Sequence, residues 1–95
     1  MDDQLNYNDV PAGENISYEH LLFYLEQGRE IEFVYKENEY FISNSSEGRA
    51  IWDGKARISS GISNNYITLI ESTNIEGIPL IDLIKQNQIN ITTVF

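Results

Sequence analysis

The stretch Glu30-Ile31-Glu32-Phe33-Val34-Tyr35-Lys36-Glu37-Asn38-Glu39-Tyr40-Phe41-Ile42-Ser43 decides the fold of this chain. Its first six residues alternate with period two, which places Ile31, Phe33 and Tyr35 on an inner face and Glu30, Glu32 and Val34 on an outer one. Lys36-Glu37-Asn38-Glu39 supplies a turn, with Asn38 the residue suited to a left-handed conformation, and Glu39-Tyr40-Phe41-Ile42-Ser43 returns as a second strand. Ser45-Ser46-Glu47-Gly48 repeats the device with Gly48 at positive φ, and Arg49-Ala50-Ile51-Trp52 makes a third strand. Asp53-Gly54 signals another hairpin, so Lys55-Ala56-Arg57-Ile58-Ser59 is expected as a fourth strand lying against residues 49–52.

Before this meander, Ser17 is a good helix N-cap, Ile16 and Leu21 suit a hydrophobic staple, and Gly28 marks the helix exit. Tyr18, Leu21, Leu22 and Leu25 share one face, which Phe23 and Tyr24 widen, as in a helix lying on a sheet. Residues 1–15 mix Asp, Asn, Pro11 and Gly13 and read as a mobile acidic arm, leaving residues 16–95 as a single domain. Beyond the meander, residues 60–65 read as a loop and Tyr66-Ile67-Thr68-Leu69-Ile70 as a strand, with a short helix the alternative. Asn74-Ile75-Glu76-Gly77 turns the chain, Pro79 suits a first helical position, and Leu80, Ile81, Leu83 and Ile84 give a short helix ending near Asn87. Ile89-Asn90-Ile91-Thr92-Thr93-Val94-Phe95 alternates again and reads as a closing strand. The expected fold class is α+β: an antiparallel meander of about four to five strands, with an N-terminal helix and a short C-terminal helix packed on one face.

The composition bounds what such a domain does. Its 95 residues hold 15 acidic and 6 basic side chains, a formal charge of −9, with 41 % hydrophobic residues and no cysteine. A chain of this length buries about 60–65 % of its unfolded surface, enough for one small core. The missing cysteine excludes disulfide frameworks, thiolate metal clusters and cysteine nucleophiles, and fits a cytoplasmic setting. An acidic N-terminus, with no run of about eighteen apolar residues anywhere, gives no signal for export or for insertion in a membrane. Residues 1–50 carry a net charge of −8 and residues 51–95 a net of −1. That balance disfavours direct binding to nucleic acid or an anionic membrane and favours a basic protein partner.

Glu30-Ile31-Glu32-Phe33-Val34-Tyr35, followed by Tyr40-Phe41-Ile42-Ser43-Asn44, Glu47-Gly48 and Trp52, resembles small uncharacterised proteins of Firmicutes genomes and their prophages. The likeness covers about residues 17–53 and 74–95 and departs at 55–73, where the family pattern is a short helix-forming stretch. Fourteen isoleucines and ten asparagines against three alanines agree with an AT-rich coding genome. The resemblance implies a fold and a mobile-element setting, and it carries no activity.

Side chains with chemistry are sparse. His20 is the only histidine, and it has no partner at a metal-ligand spacing. No Gly-x-Ser-x-Gly elbow, phosphate-binding glycine loop or calcium loop is present. Glu30 with Glu32, or Glu37 with Glu39, would project as carboxylate pairs, which more often mark a solvated strand face than an acid–base site. No catalytic, metal or cofactor residue is therefore assigned, and the chain is read as a non-enzyme. The remaining constellation is a face: Glu30, Glu32, Glu37, Glu39 and Glu47 on or beside the first three strands, with Tyr24, Tyr35, Tyr40 and Trp52 nearby. Glu32, Glu37 and Glu39 are the candidate partner contacts, with Tyr40 and Trp52 the candidate anchors. The expected function is an acidic protein-binding module that inhibits or regulates a basic protein, in its sharpest form by mimicking nucleic acid. Self-association through strand edges and Val94-Phe95 is the second expectation, and an enzyme using paired carboxylates the third.

Overall fold

The computed structural model describes residues 14–95. Along the chain these form β1 (Glu14–Asn15), α1 (Tyr18–Glu26), β2 (Ile31–Tyr35), β3 (Asn38–Ser45), β4 (Gly48–Asp53) and β5 (Ala56–Arg57). There follow α2 (Tyr66–Ser72), β6 (Asn74–Ile75), β7 (Ile78–Pro79), α3 (Leu80–Lys85) and β8 (Asn90–Val94). The acidic arm expected over residues 1–15 lies outside the described residues as far as position 13, while Glu14 and Asn15 form β1.

The period-two alternation produces the expected hairpins. β2, β3, β4 and β5 pair in sequence, and β8 returns to lie between β1 and β2, giving an antiparallel sheet of order β1-β8-β2-β3-β4-β5. The register sets Ile31 opposite Ile42, Phe33 opposite Tyr40, and Ile42 opposite Ile51, so one face is continuously apolar. Against it pack Leu21, Tyr24 and Leu25 of α1, Leu69 and Ile70 of α2, and Leu80, Leu83 and Ile84 of α3, all in one buried cluster. The fold is thus α+β, with its helices on a single side of the sheet.

Local signals explain most boundaries. The Ser17 hydroxyl accepts the His20 N–H at 3.1 Å, and Ile16 and Leu21 are both buried, as the capping and staple signals require. Gly28 has φ 83 where the chain leaves α1.

Four readings need correction. Residues 66–70 are helical, not a strand: the Asn65 side chain accepts the Thr68 N–H at 3.0 Å, and a helix brings Leu69 and Ile70 together into the core. The outer edge of β4 was also no longer free, because Arg49 exchanges both backbone hydrogen bonds with Ser63, at 2.8 and 2.9 Å. Of the expected fourth strand only Ala56–Arg57 pairs in the ladder, since the Ile58 and Ser59 N–H groups both turn to the Ile51 carbonyl. The Ser59 hydroxyl then accepts the Ile51 N–H, replacing a strand partner. In the β2–β3 turn the left-handed residues are Lys36 and Glu37, at φ 49 and 70, and Asn38 instead pairs with Tyr35. Pro79 is the N-cap of α3, one position outside the helix, and α3 ends at Lys85.

Among the described residues Arg49 is the buried cation, 5 % exposed. Its guanidinium donates to the carbonyls of Leu25 at 2.8 Å, Arg29 at 2.9 Å and Ser43 at 3.5 Å. Burial lowers its pKa below the usual guanidinium range, while the nearby Glu30 and Tyr66 act in the opposite direction. A guanidinium still keeps its charge at neutral pH.

Two stability outcomes follow. Arg49→Met strands the carbonyl of Arg29 and should lower unfolding free energy by about 2–4 kcal/mol, with Arg49→Lys intermediate, as read from urea midpoints. Lys36→Asn with Glu37→Gly relieves two left-handed side-chain residues and should raise stability by about 1–2 kcal/mol in the same assay.

Candidate binding face on the open side of the sheet

In a pleated sheet every residue that does not face the core faces away from it, and here no helix among the described residues covers that second side. The register places Phe41 between Glu32 of β2 and Trp52 of β4. Glu39, Ser43 and Ala50 lie on the same face, and Arg57 stands opposite Trp52 at the β5 edge.

The aromatic side chains of this face are held in place. The Trp52 indole Nε1 donates to the Ser43 hydroxyl at 3.0 Å, and that hydroxyl donates to the Ala50 carbonyl at 3.3 Å. Phe95 is 59 % exposed, yet its backbone is fixed on both sides. Its N–H donates to the Glu30 carbonyl at 2.9 Å and its carbonyl accepts from Arg29 Nε at 3.1 Å. The Phe95 ring meets Phe41 edge-on, with centroids 6.1 Å apart.

Two clefts open on this face, and Phe41 lines both. One, of about 410 Å³, runs between Phe41, Trp52, Ala50 and Ile62. The other, of about 320 Å³, is bordered by Glu32, Glu39, Phe41 and Phe95. Ile62, at 42 % exposure, adds to the apolar surface of the first.

The structure sorts the expected residues into three groups. Glu32, Glu39 and Trp52 come together on the open face. Glu30 borders it, but its carboxylate already accepts the Asn44 N–H at 2.9 Å and so ties the β2 approach to the end of β3. Glu37 and Glu47 sit in hairpin turns at opposite ends of β3, exposed and away from the clefts. Tyr40 differs from the expected anchor: it is 5 % exposed and its ring stacks on Phe33 at 5.3 Å on the helix side, so it packs the core and adds only a small part of itself to the lining of the second cleft. Tyr24 and Tyr35 are buried there too.

Phe41 is the open-face residue that sequence reasoning missed, and Phe95, expected only as a self-association contact, lies beside it. Tyr40-Phe41-Ile42 is an unbroken apolar run, so period two alone does not say which of its members faces out. The signal that settles it is register: Phe33 faces the core, and its cross-strand partner is Tyr40.

Other chemistry finds little footing. Among the described residues no group of three or more His, Cys, Asp or Glu side chains is placed to hold a metal ion. His20 lies on α1 with its ring 4.6 Å from that of Tyr24. No helix among the described residues is long and apolar enough to cross a membrane. Comparison with protein-family models, curated proteins and solved structures returns no match to this chain.

The inward position of Tyr40 has a titration consequence. Burial, reinforced by Asp53, Glu76 and Tyr35 against an opposing hydrogen bond with Asn38, raises its hydroxyl above the ordinary 10.0. The folded state therefore holds this proton more tightly than the unfolded state does. The associated stability is complete below about pH 10 and is lost as pH rises through the folded pKa. Tyr40→Phe should flatten that part of the alkaline stability profile, measured by urea unfolding from neutral to strongly alkaline pH.

Proposed function

We propose that this chain is a small acidic protein-binding module whose open sheet face docks on a basic partner and thereby inhibits or regulates it. The observation that carries the reading is the uncovered face itself: Phe41, Trp52 and Phe95 held at the surface beside Glu32 and Glu39. Aromatic anchors at the centre of a patch supply burial, and flanking carboxylates select and steer a cation-rich partner. A net charge of −9 extends that steering beyond contact distance. A cytoplasmic setting, and a mobile-element one, belong to this proposal on composition and resemblance.

Self-association is the second reading, favoured by the exposure of Phe95. A face-to-face dimer would bring Glu32 and Glu39 of two copies together, which costs like-charge repulsion.

A photo-crosslinking amino acid placed at Phe95 should capture a basic protein from a low-GC Gram-positive lysate, with yield falling as salt rises from about 0.05 to 0.5 M. The same group at Glu71, exposed on α2, should not capture it. Equal capture at both positions would remove the open face as the docking site, and cross-linked dimers of this chain alone would favour self-association.

A further inference from the structure

Resting on the docking reading above, we infer that the face recognises an extended segment of its basic partner bearing an apolar side chain and an arginine two residues apart.

The two clefts differ in chemistry and share one wall. On one side of Phe41 the cleft is mainly apolar, with Trp52, Ala50 and Ile62, and the one carboxylate in its lining, Glu30, already accepts the Asn44 N–H. On the other, the Phe41 and Phe95 rings line a cleft together with two carboxylates, Glu32 and Glu39. Glu32 lies directly across from Phe41, and Glu39 is two residues before Phe41 on the same face of β3, so the carboxylates are diagonal neighbours. Neither carboxylate makes a hydrogen bond or ion pair among the described residues.

A flat cation suits that setting better than a spherical one. A guanidinium lies on an aromatic ring and presents its forked N–H groups to a carboxylate at the same time, whereas an ammonium is a strongly hydrated point charge. Arg57, opposite Trp52, puts a positive charge at the other end of the face. A cationic side chain is therefore directed to the Glu32 and Glu39 end, and the bound segment acquires a direction.

The spacing comes from β3. Glu39 lines only the acidic cleft and Ser43 only the apolar one, with Phe41 midway between them. Outward positions on a strand repeat about every 7 Å, so side chains dropping to either side of the Phe41 ring are about one such step apart. In an extended peptide that step is two residues.

The test uses the isotopically labelled full chain and an acetylated, amidated heptapeptide, Gly-Ser-Leu-Ser-Arg-Ser-Gly, followed by NMR. Saturable shifts of the Trp52 indole N–H together with the Glu32 and Glu39 amides are expected. Replacing arginine by neutral citrulline should weaken binding by about tenfold. Glu32→Gln with Glu39→Gln should erase that preference, whereas Glu19→Gln with Glu26→Gln, exposed on α1, should preserve it. Unchanged core signals in each variant establish that it is folded. If the arginine and citrulline peptides bind the face equally, the arginine subsite is overturned while docking on the face stands. If the peptide shifts no open-face signal, the segment proposal is overturned, and Phe95 cross-linking decides the docking reading separately. If the same signals shift on concentrating the chain without peptide, the face is a self-association surface and both readings are overturned.

Discussion

A guanidinium taken out of water has to find carbonyl groups, and Arg49 finds them where a helix ends. The last turn of α1 and the residues beyond it present carbonyls that have exhausted their helical partners and lie at the negative end of the helix dipole. Arg49 reaches two of them, at Leu25 and Arg29, and so pins α1 over the sheet from below. The backbone of the same residue pairs with Ser63 and fastens the segment that leads into α2. Space at that junction is tight: a side chain at Gly48 would place its Cβ 2.7 Å from the Ser63 carbonyl oxygen. One arginine and the glycine before it thus fix how α1 and the α2 approach meet β4.

With the three helices of the described residues committed to one side, the other side of the sheet is defined by what remains. Phe41, Trp52 and Phe95 project there for the reason that Phe33, Tyr40 and Ile42 project inward. Holding those rings in place matters energetically, because each side chain immobilised on association subtracts about 0.5–1.5 kcal/mol from affinity. The Trp52 hydrogen bond to Ser43 and the two backbone bonds of Phe95 settle part of that ordering before any partner arrives. The outward glutamates also oppose edge-to-edge or face-to-face pairing of strands during assembly.

The meander was legible because strand alternation, caps and turn residues all operate within a few positions of one another. Glu30 to Trp52 could be read residue by residue for that reason, and the first helix was announced by Ser17 and Gly28. Legibility failed where a distant partner decided. Residues 66–70 have strand composition, but β4 had its edge occupied from Ser63, so burial of Leu69 and Ile70 was achieved by a capped helix. Lys36 and Glu37 occupy left-handed positions that their side chains disfavour, because the register fixed by Phe33 and Tyr40 leaves just two residues for the turn. On the candidate face the charges were readable, Glu32 and Glu39 among them, but the choice between Tyr40 and Phe41 depended on a cross-strand neighbour. Arg49 looked like an ordinary strand-end cation, since nothing local reveals that α1 ends above it.

The strand order carries a consequence for folding. β8, the last strand in chain order, lies between β1 and β2, both made long before it. Until β8 is in place the element that joins β1 to the meander is missing, so the sheet closes at its last strand. Until then the β2 edge is a row of unpaired backbone groups open to other chains. Closing this sheet therefore depends on pairings of high sequence separation, which form more slowly than the local hairpins of the meander.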